Sequence, residues 1–172
     1  MNLFVKNLTN KPLLHTRQNH ALEHATLHVL STKSTRRNLA GYSDMNGFWI
    51  IGHASTEEIQ MAVDEALERL QKGENRLAIH ENCGTNFATS GILAGAVAWL
   101  TMLGVKNDTR SKLDRLPLLM SLVTLMLVFS RPLGPLVQAR FTTTPDVQLL
   151  KVVEICRFQR GSTPLHRVLT NI

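Results

Sequence analysis

Hydrophobic and polar positions divide the chain into a patterned front and an apolar back. From Arg17 to Ser31, the apolar residues Leu22, Ala25, Val29 and Leu30 recur at helical spacing, which predicts a helix with Asn19 as its cap. LAGYSD (39–44) and GFWIIGHA (47–54) predict two strands joined through Met45-Asn46, with Asn46-Gly47 as the turn signal. Ser55 and Glu58 make a capping box opening the clearest helix of the chain. Its Ile59, Ala62, Val63, Ala66, Leu67 and Leu70 keep one apolar face until Gly73 ends it. RLAIH (76–80) predicts a short strand that delivers His80. VQLLKVVEICRF (147–158) alternates enough for a strand or an amphipathic helix, and the pattern does not separate the two.

The back of the chain changes character. FATSGILAGAVAWLTMLGV (87–105) carries no charge and is close to the roughly 20 residues that cross a bilayer as a helix. A charged loop, KNDTRSKLDR (106–115), leads to LPLLMSLVTLMLVFS (116–130), and the stretch to Gln138 is interrupted only by Arg131. A buried hairpin in a soluble core is the alternative, but two such runs around a charged loop favour a transmembrane hairpin. Gly91 and Gly95, with Ala94 and Ala98, offer small residues for close helix approach.

The expected fold class is therefore α+β. A small α/β front domain (1–86: helix, strand hairpin, helix, strand) precedes a two-helix transmembrane hairpin (87–138, with spans 87–105 and 116–138) and a C-terminal segment (139–172). Lys106, Arg110, Lys112 and Arg115 in the loop would prefer the cytoplasm. Arg69, Lys72 and Arg76 before the hairpin and Arg131 and Arg140 after it argue the reverse, and the first fifteen residues contain no signal-like apolar run. Both termini are expected in the cytoplasm.

Composition narrows the partners. The chain of 172 residues has 19 Lys+Arg against 13 Asp+Glu, a balance that suits nucleic acid or an anionic membrane surface. Its positive charges are scattered, with only Lys33, Arg36 and Arg37 clustered, and aromatics are 5% of residues. Nucleic acid is thus not an expected partner. Cys83 and Cys156 are too few for a disulfide framework.

The chemistry concentrates in two clusters. His20-Ala21-Leu22-Glu23-His24 reads H-x-x-E-H, the order of inverted zinc peptidases. On a helix, His20 and His24 stack on one face and present two imidazoles to one divalent metal, zinc being the natural choice. Glu23 would then be the general base for a water activated by the metal, or a further ligand. His28 continues that face but taken alone reads as an ordinary histidine, as do His15, His53 and His166. The second cluster, His80-Glu81-Asn82-Cys83-Gly84-Thr85-Asn86, adds an imidazole and a thiol at the start of the first apolar run. Each alone is more often structural: a hydrogen-bonded histidine, a small buried cysteine. Cys83 at a helix N-terminus would be stabilised as thiolate, while Thr85 or Asn86 would cap that helix and Gly84 would make the turn before it. No nucleophile elbow and no phosphate-binding glycine loop is present.

RQNHALEHATLHVL, LAGYSDMNGFWIIG, LAIHENCGTNFATSGILAG and RPLGPLVQARFTTTPD together resemble an uncharacterised family of small membrane proteins found mainly in cyanobacteria. More distantly, the chain is similar to bacterial YqhQ-like membrane proteins, which carry HGAEH and HPRCGT motifs and a TT-x-x-PD-like segment, here Thr142, Thr143 and Thr144-Pro145-Asp146. Glu81-Asn82 stands where that distant family has Pro-Arg, and this chain is shorter. The resemblance spans about residues 17–146 and implies a metal-dependent membrane protein without an assigned reaction, marking His20, Glu23, His24, His80, Cys83, Gly84 and Thr85. The expected function is a membrane-anchored metal-binding protein, with metal-dependent hydrolysis at the membrane surface as its chemistry. The alternative is a non-catalytic membrane adaptor or assembly factor with a structural polar cluster. The expected partners are the lipid bilayer and a membrane-protein substrate or partner, with homo-oligomerisation left open. The expected location is a bacterial inner membrane or a thylakoid.

Overall fold

The apolar stripe of Leu22, Ala25, Val29 and Leu30 is the buried face of a helix, α1, which runs over Leu3–Lys33. The computed structural model describes residues 3–33 and 38–172. Of the basic cluster noted above, Arg36 and Arg37 lie outside them. Asn19 is not a cap. It sits inside α1, fully buried, where Nδ2 donates to the Asp44 carbonyl at 2.9 Å and Oδ1 accepts from the Thr170 hydroxyl at 2.6 Å. A buried amide costs stability unless paired, and this pairing fastens the helix to the sheet.

The chain divides into two units: Met1–His80 with Ala139–Ile172, and Glu81–Gln138. In the first, α1 is followed by β1 (Ala40–Asp44), β2 (Gly47–Ile51) and α2 (Thr56–Gln71), and later by β3 (Lys151–Arg160) and β4 (Thr163–Asn171). The Asn46-Gly47 turn forms as the pattern predicts: the Asn46 amide donates to Asp44 Oδ1 at 2.8 Å, and Gly47 takes φ 145°. A Cβ on Gly47 would lie 1.9 Å from the Val168 carbonyl oxygen, so the close approach of β4 requires glycine here. The four strands are antiparallel in the order β1-β2-β4-β3. Residues 147–158, open between strand and helix, thus contribute a strand, β3.

Ser55 caps α2 with the full capping box, and Gly73 at φ 93° follows the helix in the left-handed conformation of a C-terminal glycine. The buried Ile59, Ala62, Val63, Ala66 and Leu70 of α2 join the α1 stripe, Phe48 and Ile50 of β2, and Val168 of β4 in one core. The expected strand at 76–80 is instead a 3-10 turn, Asn75–Ala78. Its Leu77 amide donates back to the Glu74 carbonyl, and the carbonyls of Ala78 and Ile79 are taken by histidines of α1 rather than by a strand partner.

The second unit holds α3 (Gly84–Met102), α4 (Thr109–Ser130) and the short α5 (Leu133–Val137). Asp108 caps α4 by accepting from the Ser111 amide at 2.8 Å, so this helix begins inside the charged loop rather than at Leu116. It ends at Ser130, and Pro132 opens α5, which breaks the stretch expected to continue to Gln138. Among the described residues one helix, Thr109–Ser130, is long and apolar enough to cross a membrane. The polar residues Thr85, Asn86, Thr89 and Ser90 take up the early turns of α3. Ser90 and Ser130 join α3 to α4 through their hydroxyls at 2.8 Å. Gly91 and Gly95 do not mediate that packing, since among the described residues a Cβ on either would meet nothing within 4 Å.

Candidate metal centre

The helical spacing of His20 and His24 places their rings 4.3 Å apart between centroids, with one ligand nitrogen of each within 4.8 Å of the other. His24 is almost fully buried, and its Nδ1 lies 2.8 Å from the Ala78 carbonyl. A carbonyl oxygen only accepts, so Nδ1 carries a proton, and Nε2 is the nitrogen whose lone pair can face an ion. That Nε2 is buried and has no hydrogen-bond partner among the described residues. His20 is held in the same way, donating from Nδ1 to the Thr142 carbonyl at 3.0 Å. A ligand histidine usually has this arrangement, one nitrogen tied to a carbonyl and the other turned to the ion.

The 3-10 turn brings in the rest of the first unit's cluster. The His80 ring lies 5.6 Å from that of His24 and 5.0 Å from that of His28. Burial, and then the neighbouring His24 and His28, push the His80 pKa down to about 4, which keeps it a neutral imidazole at physiological pH. His28 donates from Nε2 to the Ile79 carbonyl at 2.8 Å, the role of an ordinary hydrogen-bonded histidine.

Glu23 is buried against β1. Its Oε2 accepts from the Ser43 hydroxyl, and a Cβ on Gly41 would fall 2.0 Å from Oε1. Burial pushes its carboxyl above the ordinary range, opposed by the Ser43 hydrogen bond and the nearby His20. Ser43, Gly41 and the Thr142 carbonyl were not anticipated as parts of the site. Only the TTTPD segment gave a signal, and it is strapped to α1: Arg17 donates to the Thr143 carbonyl at 2.9 Å, and the Thr144 amide to that of Arg17 at 3.2 Å.

Cys83, Gly84, Thr85 and Asn86 belong to the second unit. There, Cys83 itself is the N-cap of α3, buried, with Sγ accepting from the Thr85 amide at 3.4 Å. The cap is thus not Thr85 or Asn86, which lie in the first turn. Gly84 is the first helical residue and needs no special backbone angle. Asn86 instead donates from Nδ2 to the Glu81 carbonyl at 2.6 Å and accepts from Gln138.

A family described as a domain of unknown function (DUF6391) matches residues 15–155, a span that contains both motif clusters. The chain is also 39% identical over 103 residues to an uncharacterised protein of Picosynechococcus sp. (strain ATCC 27264 / PCC 7002 / PR-6), covering 52% of this chain and 50% of that one. It thus spans about half the length of that curated relative. No solved structure matches it. With the match running through nearly all the described helices and both histidine segments, the chain belongs to the DUF6391 family.

Proposed function

We propose that this chain is a membrane-anchored metal-binding protein whose first-unit histidines hold a divalent ion, zinc fitting best. The observation that carries the reading is the buried, unpartnered Nε2 of His24, whose other nitrogen is committed to the Ala78 carbonyl. Leaving such an atom without a partner is costly, and a bound cation removes the cost. His20 is the second donor. His80 and, three positions further along the sequence, Cys83 supply an imidazole and a thiol, the donor types zinc prefers. Three protein donors with one open position would support hydrolysis at a membrane surface, with Glu23 moving the proton; four would make a closed, structural site. The apolar α4, paired with α3, is the anchor in this reading, with both termini in the cytoplasm. The resemblance of these motifs to those of the YqhQ-like proteins agrees with the donor set.

Metal analysis of the full-length protein purified in detergent tests this. About one equivalent of tightly held metal is expected, and less than about half an equivalent in the wild type would overturn the reading.

A further inference from the structure

We propose that the cavity at the Arg131 end of the α3–α4 hairpin binds the head group of an anionic phospholipid bearing free hydroxyls. The inference rests on the membrane-anchoring half of the proposed function and not on the metal. The cavity measures about 600 Å³ and lies entirely within the second unit. That size suits a small polar ligand or head group.

Its lining is fixed before any ligand arrives. Ser130 Oγ donates to the Leu127 carbonyl at 2.8 Å and accepts from Ser90, whose Oγ keeps its own lone pairs for another donor. Asn86 is held at both ends of its amide, by the Glu81 carbonyl and by Gln138. These neutral groups suit hydroxyls better than they suit charge. Among the described residues of the lining, Arg131, exposed at the C-terminal end of α4, is the one cation and fits a phosphate. Among those same described residues, Glu81 is the one carboxylate. It can accept from a hydroxyl but would repel a second negative charge, which favours a singly charged phosphodiester over a phosphomonoester.

The apolar part of the lining selects a lipid over a free polyol phosphate. Phe87 and Leu127 border the same cavity and are 68% and 44% exposed. α4 also exposes Leu125, Val128 and Phe129, apolar surface against which an acyl chain would lie. Arg131 follows directly on the apolar helix, the position at which a basic side chain meets head-group phosphates.

Full-length protein would be reconstituted into bilayers of equal phosphatidylglycerol, phosphatidylcholine and phosphatidic acid, and the retained lipids counted by native mass spectrometry. Phosphatidylglycerol is expected to be enriched about fivefold or more over each of the others, as one well-placed Arg–phosphate contact plus hydroxyl hydrogen bonds would give. Arg131→Gln and Ser90→Val should bring retention close to parity, while Lys106→Gln with Lys112→Gln, in the hairpin loop, should leave it unchanged. Equal retention in the wild type, enrichment that survives both cavity variants, or phosphatidic acid held as well as phosphatidylglycerol would each overturn the proposal. So would displacement of the lipid by soluble glycerophosphate at low millimolar concentration. Flotation with vesicles of phosphatidylcholine alone separates the two ideas: failure to float overturns the anchoring and this inference with it, whereas floating without selectivity overturns only this inference.

Discussion

His24 Nδ1 and the carbonyl oxygen of Ala78 are joined across 2.8 Å, and that single bond decides what the other ring nitrogen can do. Because the 3-10 turn offers an acceptor, Nδ1 carries a proton and Nε2 is the buried nitrogen whose lone pair can face an ion. Replacing His24 with Ala should lower zinc affinity by well over the roughly 10–100-fold typical of outer-shell changes, and His20→Ala should do likewise. His28→Gln should fall within or below that range, since His28 is tied by Nε2 to Ile79. Competition with a fluorescent chelator measures all three; equal affinities for wild type and His24→Ala would remove His24 from the site.

Glu23→Gln retains an oxygen that can accept from Ser43 and should leave the fold and about one equivalent of metal in place. Metal analysis of the folded variant checks this. Loss of the metal with folding intact would make Glu23 a ligand instead of a proton acceptor.

Gly41 and Glu23 should be strongly coupled. A Cβ on Gly41 would meet the Glu23 carboxylate at 2.0 Å, so Gly41→Ala must displace a buried side chain, at a cost of about 1–3 kcal/mol. In a Glu23→Ala background the same substitution should cost only a few tenths, roughly 0.3–0.5 kcal/mol. Denaturant unfolding of the four proteins gives the coupling directly. Additive costs would mean that the carboxylate does not occupy that space.

His166 should make the first unit acid-sensitive. It is fully buried on β4, and burial, then the nearby Arg157, lowers its pKa below the ordinary value of 6.5, with Glu57 pulling the other way. Below about pH 6.5 the unfolded chain therefore binds the proton more readily than the folded one, and stability falls as the pH drops. His166→Gln should unfold with a shallower pH dependence between pH 7 and 5 than the wild type. Parallel profiles would show that His166 does not contribute to it alongside His80, whose pKa is also lowered.

Ser55→Ala removes the α2 cap and half of its reciprocal box, and should cost about 1 kcal/mol by thermal unfolding. Glu58→Ala should cost less, because the Ser55 side chain would still cap the Glu58 backbone amide.

Local signals in the chain read well wherever one residue's chemistry is settled by its neighbours in sequence. The capping box of α2, the Asn46-Gly47 turn and the i, i+4 pairing of His20 with His24 are all of this kind. What the pattern hides is decided by distant partners. β4 carries His166 and Arg167 in buried positions, which blurs its alternation. Arg167 is accommodated only because Asp44 accepts from it at 2.7 Å and Trp49 lies beneath its guanidinium at 5.2 Å. The turn at Asn75–Ala78 looks like a strand because Leu77, Ile79 and His80 suit one, yet its carbonyls serve the α1 histidines. Asn19 resembles a cap because asparagine favours that position; only Asp44 and Thr170, far along the chain, make its interior place tolerable.

The strand order also sets a schedule. β4 lies between β2 and β3, yet it is the last of the four to be synthesised, and residues 81–138 are made ahead of it. When the apolar hairpin leaves the ribosome, β2 still has one unpaired edge, Phe48 and Ile50 lack Val168, and the Thr142 carbonyl that orients His20 does not yet exist. The first unit is therefore begun early and finished late, and its histidine cluster takes its final form only after the hairpin has been made.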